Sequence, residues 1–571
     1  MLFVSTFKKR LIFTIVIFII SVFVMFLYFK DVFYSNYILI DFALHPFNIC
    51  EKFPDLWNFI KITYIIFYCF SVLIVSNFIY SLIFSKSKNI QISKNSITKD
   101  TNSRLNLLAG LDNKETPIYI NEKGLYQNIL ITGTIGSGKT SSAMYPFTRQ
   151  LIEYNADNPK EKLGLLILDV KGNYHKQVEK YCNSYNRRND LIVLSLDGNI
   201  KYNPLDKPHL KAHILANRLK TILTLFSSKN GEQYWLDKAE QVLTECIKLC
   251  RLYNNGYVTF IELHKLITIP DYYSSKISLL RNKFLAGKLS KEDCFNLLSS
   301  IEFFEKEFLK LDSRTMAILK SEITRITGCF VSDYQIQKVF CPSKEEINFK
   351  GFKSLISKGK ILVLNMNLAE FKNLSKIIAA YLKLDFQTEV MSRLSKNNEN
   401  YLRSVAFISD EFHEYVTSTD ADFFAQSREA KCINIVTTQS YTSLLNSLDN
   451  QNTTKAIIQN LVNKFWFRTD DIFTIEDAQK QLGKEEKTKI SKTISENAKT
   501  TNFNIFTKKF NSLDSNLSES INSYSQFDYI FDTNFFTQKL ETFSCLAFLS
   551  NGNCIIPPQK LNMIPYFKNI N

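Results

Sequence analysis

The apolar stretch Asn128-Ile129-Leu130-Ile131-Thr132 runs directly into Gly133-Thr134-Ile135-Gly136-Ser137-Gly138-Lys139-Thr140, a full match to the pattern GxxxxGK[ST]. No other feature constrains the chain as tightly. A loop whose backbone N–H groups converge on an anion needs glycines, which tolerate positive φ and leave room for phosphate oxygens. It also needs a strand before it and a helix behind it, and Ser141-Ser142-Ala143-Met144 can open that helix. On this reading Gly133, Thr134, Ile135, Gly136, Ser137, Gly138, Lys139, Thr140 and Ser141 bind the nucleotide. Lys139 reaches the β- and γ-phosphates of ATP and Thr140 holds Mg²⁺. The other reading of so short a pattern is a glycine-rich turn with an incidental lysine, and the strand-loop-helix context speaks against it.

Two uncharged apolar runs precede the loop, Leu11 to Phe29 and Ile62 to Phe84. As a helix at ~1.5 Å per residue the first is about 28 Å long, enough to cross a bilayer. Lys8, Lys9 and Arg10 flank the first run on its N-terminal side, and Lys86 and Lys88 flank the second on its C-terminal side. The stretch between the runs carries Asp31, Asp41, Glu51 and Asp55. The positive-inside rule then predicts a hairpin anchor with both termini, and everything beyond Lys86, in the cytoplasm. A cleaved signal peptide is the alternative for the first run, but the run is long for an h-region and no small-residue cleavage site follows it.

The 11 cysteines show no CxxC spacing and the 6 histidines are scattered, so no structural zinc is expected. Cys246 and Cys250, one helical turn apart, read as core residues. The net charge of +15 suits an anionic partner, nucleic acid or a membrane surface. Lys, Asn, Ile and Phe are all abundant, as AT-rich coding would give, so charge alone leaves direct DNA contact open.

Short runs rich in Ile, Leu and Val recur at 127–131, 164–168, 191–194, 360–364, 405–408 and 433–436. Bounded by turn residues, they read as parallel strands buried on both faces, which makes the fold α/β. Between Asp206 and Asn348 no such run appears and the periodicity is helical. This predicts an all-α insertion over 259–327, or else helices that cover one face of the sheet. Residues 1–88 form the anchor, 89–116 a polar linker, and 117–258 with 328–571 the two parts of a nucleotide-binding domain. The segment Lys484 to Thr533 reads as loops and irregular helix, and Cys545 to Leu549 as a late strand.

ATP hydrolysis calls for a carboxylate in the Mg²⁺ shell and a second to polarise water. Val405-Ala406-Phe407-Ile408-Ser409-Asp410-Glu411 ends in such a pair, with Asp410 toward the metal and Glu411 toward the water. Leu165-Leu166-Ile167-Leu168-Asp169 ends in a single acid. For either strand, a carboxylate that merely caps the next helix is the alternative. Gln439, at the end of Ile433-Asn434-Ile435-Val436-Thr437-Thr438-Gln439, is placed to sense the γ-phosphate, or else is an ordinary turn residue.

GTIGSGKT, LLILDVKGNY, YNPLD at Tyr202 to Asp206, AFISDEF and FFAQSREAKCINIVTTQS stand in this order behind the two apolar runs. Their order and spacing resemble the type IV secretion coupling proteins of the VirD4/TraG/TraD kind over nearly the whole chain. The resemblance implies a RecA-like P-loop motor domain with an inserted all-α domain, assembled as a homo-hexamer at the inner membrane. Such proteins bring DNA with its attached relaxase, or effector proteins, to the channel proteins of a secretion system. Arg428, in Ser427-Arg428-Glu429-Ala430, matches the position of an arginine that in the family reaches a neighbouring subunit's nucleotide; a salt bridge to Glu429 or another acid is the other reading. His413-Glu414-Tyr415 departs from the family, where many relatives carry small residues and a Leu-Gly turn, and the all-α segment offers no motif to match.

The leading expectation is therefore a membrane-anchored ATPase that feeds DNA, single-stranded and bound without regard to sequence, into a conjugation channel. The alternatives are delivery of protein effectors, a chromosome translocase of the FtsK kind, and a docking receptor that binds nucleotide without hydrolysing it.

Overall fold

The computed structural model describes residues 104–571 apart from 170, 227–232, 270, 396–402, 498–502, 505–508, 511–515 and 569–571, together with Asp55, Phe59, Ile62, Ile66 and Phe70. The chain divides into two units, 1–96 and 97–571. The apolar run 11–29 and all of the run 62–84 except Ile62, Ile66 and Phe70 lie outside the described residues. Among the described residues no helix is long and apolar enough to cross a membrane.

The strands are β1 (Asn106–Leu111), β2 (Pro117–Asn121), β3 (Ile129–Thr132), β4 (Gly164–Leu168), β5 (Leu191–Leu194), β6 (Ile361–Leu364), β7 (Val405–Ser409), β8 (Cys432–Thr438), β9 (Asn463–Phe467), β10 (Lys484–Asn497), β11 (Phe503–Asn504), β12 (Lys509–Phe510), β13 (Asn516–Tyr529), β14 (Ser544–Phe548) and β15 (Gln559–Asn562). Most join one 11-stranded sheet in the order β2-β1-β15-β14-β9-β3-β8-β7-β4-β6-β5. From β9 to β5 every neighbouring pair is parallel. The flank formed by β14, β15, β1 and β2 is antiparallel.

Each strand expected between 127 and 436 is present, because all of them lie in the parallel part, with helices on both faces. Alternate side chains supply two cores. Leu130, Leu166, Leu168, Leu362, Leu364, Phe407 and Val436 face one, while Ile129, Ile131, Leu165, Ile167, Val363, Ile408 and Ile435 face the other. The first core also takes in the helices Ala212–Leu223, Gln233–Tyr253, Phe260–Thr268, Tyr272–Leu285, Lys291–Glu302, Ser313–Thr327 and Tyr334–Phe340, which follow β5 and precede β6. Thr259, Ser290, Asp312 and Asp333 start four of these helices, each accepting backbone N–H bonds of the first turn. Cys246 and Cys250 are fully buried in this core.

The YNPLD segment fastens the helical region to the helix Leu368–Met391. The Tyr202 hydroxyl donates to Asp385 at 2.9 Å, and Asn203 donates to the Val258 carbonyl at 2.8 Å while accepting from the Leu205 N–H at 2.9 Å. Lys207 and Arg218 each reach the same Asp385 carboxylate at 2.9 Å. These two cations and the Tyr202 hydroxyl keep the buried carboxyl below its ordinary pKa, against burial, which raises it.

Two expectations need correction. The polar linker drawn through 116 ends earlier, since β1 lies inside it with Leu107 and Ala109 buried. Antiparallel pairing to β2 and β15 stabilises a strand whose own sequence is only weakly patterned. The segment 484–533 is not loop and irregular helix: β10 and β13 form a long antiparallel hairpin from Lys484↔Tyr529 to Asn497↔Asn516. Where its side chains are described they are mostly exposed, including Ile490, Ile521 and Phe527. A ribbon with no buried face does not segregate polar from apolar residues, so the alternation that marks a half-buried strand is missing.

Candidate nucleotide site

The chain leaves β3 at Thr132 and forms the glycine loop at the C-terminal edge of the parallel sheet, with β8 on one side and β9 on the other. The loop is fixed from both neighbours. Gly133 N–H donates to the Gln439 carbonyl at 3.2 Å and Thr134 N–H to the Arg468 carbonyl at 2.8 Å. Gly133 (φ 153°) and Gly138 (φ 97°) occupy backbone conformations closed to side chains. A Cβ on Gly138 would also meet the Phe543 ring at 2.5 Å. Ile135 is 81% exposed at the loop apex. Thr140–Met144 makes a wide helical turn that continues into the helix Tyr145–Glu153. N–H groups at a helix start have no partner within the helix and favour an anion there.

Lys139 is buried, and its ammonium donates to the carbonyls of Gly133 and Thr134, the latter at 3.0 Å. Burial lowers its pKa, and the carboxylates of Glu411 and Asp410 counteract part of that shift.

β7 lies between β8 and β4, so its acid pair opens onto the same edge. Thr140 Oγ1 is 3.4 Å from Asp410 Oδ2. Glu411 takes a left-handed conformation (φ 48°), which breaks the strand's alternation immediately after Asp410. Lys171 Nζ bridges the two acids, 3.4 Å from Asp410 Oδ2 and 3.0 Å from Glu411 Oε1. Burial alone would lower the Lys171 pKa, but these two carboxylates outweigh it and raise the group above its ordinary value. Glu411 Oε2 is buried without a hydrogen-bond partner. The His413 ring lies 3.7 Å from it, and burial lowers the pKa of that ring despite Glu411 and Glu414.

Thr437 on β8 is the short contact that orients the pair. Its hydroxyl donates to Asp410 Oδ1 at 2.6 Å and accepts the Glu411 N–H at 3.2 Å. Sequence reasoning gave no role to Thr437, to Lys171 of the DVKG segment or to Phe543. The first two lay within segments already singled out by motif, whereas Phe543 carries no local signal because only the fold brings it to the loop.

Asp169, the other strand-end acid, turns away to the helix Tyr174–Ser184. It accepts backbone N–H bonds from Lys171 at 2.9 Å and from Asn173 and Tyr174 at 3.0 Å each. Burial raises its pKa and the neighbouring Asp410 adds to the effect. Gln439 is half-buried and adjoins the loop through its carbonyl. Arg428 is not brought to this site. It is exposed in the turn before β8, and no ion pair to it occurs among the described residues. The length of β8 separates it from Gln439, about 23 Å at ~3.3 Å per residue.

Thr140 and Asp410 offer a hydroxyl and a carboxylate 3.4 Å apart. These are hard oxygen donors of the kind Mg²⁺ takes beside a phosphate, so the residues fit that ion.

A phosphate loop at the C-terminal edge of a parallel sheet, with a strand-end acid beside its threonine, defines the P-loop class of nucleotide-binding fold. Residues 342–512 match the family model described as the type IV secretion-system coupling protein DNA-binding domain, so the resemblance to the type IV coupling proteins read from the motifs is borne out. The structure of the plasmid coupling protein TrwB in complex with ADP and Mg²⁺ is similar at 12% identity, covering 81% of this chain and 91% of that chain, with a TM-score of 0.54. TrwB in complex with a non-hydrolysable GTP analogue follows at 14% identity, 78% and 88% coverage and a TM-score of 0.52. At these identities the likeness is one of fold. No curated protein matches the sequence.

Proposed function

We propose that this protein is a membrane-anchored ATPase that couples a DNA substrate with its relaxase to a type IV secretion channel and drives transfer by ATP hydrolysis. One observation carries the reading: loop, acid pair and β8 terminus, distant in sequence, meet at one sheet edge, with Thr140 3.4 Å from Asp410. The DNA-binding description of the matching family model supports the choice of cargo. The ADP and Mg²⁺ bound by TrwB support the choice of ligand.

The loop N–H groups and Lys139 bind and orient the triphosphate, and Thr140 with Asp410 would hold Mg²⁺, which neutralises phosphate charge when bound. Glu411 takes the proton of the attacking water, its unpartnered buried oxygen being a free acceptor. Lys171 gives up the acid pair as nucleotide enters. Gln439 senses the γ-phosphate and passes its loss into β8. Arg428, at the far end of β8, cannot serve its own pocket, and in a homo-hexamer it serves a neighbour's. It would there stabilise charge on the transferring oxygens. The apolar runs 11–29 and 62–84 would anchor the assembly at the inner membrane, with the motor on the cytoplasmic side.

The test is ATP turnover by the full chain, with and without single-stranded DNA, beside Lys139→Ala and Glu411→Gln. DNA-stimulated turnover lost in both variants is the expected result. Turnover indifferent to DNA and raised by a secreted protein would refute the DNA reading, and no turnover under assembling conditions would refute the motor.

A further inference from the structure

We infer that Phe567, held edge-on by Tyr566 and Phe543, presents the ring face, or shelf, on which the base of the bound nucleotide stacks. This rests on the nucleotide reading above and deepens it, since the phosphate-binding motif says nothing about what holds the base.

The segment is laced to the phosphate loop at both ends. Phe543 N–H donates to the Ser137 carbonyl at 3.2 Å and Tyr566 N–H to the Ser141 carbonyl at 2.9 Å, while Met563 N–H bonds the Phe543 carbonyl at 2.7 Å and ties the two approaches together. Phe543 holds φ 64°, an uncommon conformation for a bulky residue that persists only where surroundings impose it. Its ring lies against Gly138 closely enough that the loop has no room for a Cβ there. The rings then run on in a chain. Each ring meets the next edge-on, Tyr145 with Tyr566 at 5.1 Å, Tyr566 with Phe567 at 5.4 Å and Phe567 with Phe543 at 5.9 Å between centroids, so the neighbours fix Phe567 by its edges and leave a ring face open.

The position along the nucleotide follows from the motif. Lys139 takes the β- and γ-phosphates and the loop N–H groups the α- and β-phosphates, so the base lies outside the loop on its α-phosphate side, and we place that side at Ser141, the first residue after the motif. Tyr566 is bonded at that residue. Tyr566 is 44% and Phe567 60% exposed, so ring surface beside the loop is open to a flat apolar partner. A purine is such a partner, and stacking on an aromatic face is tolerant of which base is present.

The test compares two probes on the full chain with Mg²⁺: ATP, and inorganic tripolyphosphate, which has the phosphates and lacks the base. Phe567 is mostly exposed, so Phe567→Ala leaves the fold intact. It is expected to weaken ATP binding about five- to hundredfold, the range for loss of one stacking contact, with tripolyphosphate binding unchanged within twofold. Phe567→Leu, apolar but without a π face, should lose most of the same affinity, and Phe567→Trp should keep it. ATP binding by Phe567→Ala equal to the native protein overturns the shelf and leaves the phosphate site standing. Equal loss of both probes also overturns it, by showing that the residue only supports the loop. A native protein that binds neither probe overturns the nucleotide reading itself and the shelf with it.

Discussion

Thr437→Val tests the arrangement of the acid pair without disturbing its packing. The two side chains are nearly the same size, Thr437 is fully buried, and only the hydroxyl is lost. That hydroxyl makes the one short side-chain bond to Asp410, at 2.6 Å, against 3.4 Å from Thr140 and 3.4 Å from Lys171. It also accepts the Glu411 N–H at 3.2 Å. A hydrogen bond to a charged group contributes about 1.5–3 kcal/mol, which is roughly a 10- to 150-fold change in rate when it acts on the reacting geometry. The loop and Lys139 are untouched, so nucleotide affinity should stay within about threefold while kcat falls by one to two orders of magnitude. Steady-state ATPase assays with a direct binding titration separate the two quantities, and Thr437→Ser should restore turnover. A Thr437→Val protein that is folded and turns over within twofold of native would show that Asp410 is held by other contacts, and the account of the site would be wrong.

Further outcomes follow from the structure. Asp169→Ala removes the acceptor of three backbone N–H bonds and should cost about 1–2 kcal/mol in urea unfolding, whereas Asp410→Asn should abolish turnover in a protein that still binds nucleotide. Burial in β9 pushes Lys464 down to about 8, with Asp477 offsetting only part of the shift. The unfolded chain then binds more protons between pH ~8 and ~10.4, so stability should rise across that window by at most about 3 kcal/mol and be lost as pH falls through 8; Lys464→Met should flatten the slope. Arg428→Ala should bind nucleotide and not turn it over, and mixing it with Lys139→Ala subunits should recover part of the activity, because each supplies what the other lacks. Failure of the mixture to recover any would refute action across subunits.

The parallel strands and the phosphate loop were legible because their residues carry the reason for their structure locally. A strand covered on both faces must be a short run of Ile, Leu and Val, and a loop that wraps phosphate must be glycine-rich. The acid pair was legible for the same reason, as carboxylates at the end of such a run. The adjacent second acid distinguishes Asp410 from Asp169 in the sequence, and the fold gives the physical reason: Asp169 accepts the next helix's N–H groups, while Asp410 faces Thr140.

What the sequence did not show depends on strand order. That β3 inserts between β8 and β9, so that the phosphate loop is bonded from both neighbours, follows from pairing between segments hundreds of residues apart, for which no local pattern exists. The same holds for Phe543 and Tyr566 on the loop, for β1 within a stretch that reads as linker, and for the β10–β13 hairpin, whose two solvent-facing sides leave no hydrophobic alternation to read. Local chemistry thus determined which pieces a phosphate site would need, and tertiary packing alone decided which of them meet, because proximity across a sheet is set by hydrogen-bonded neighbours and not by position along the chain.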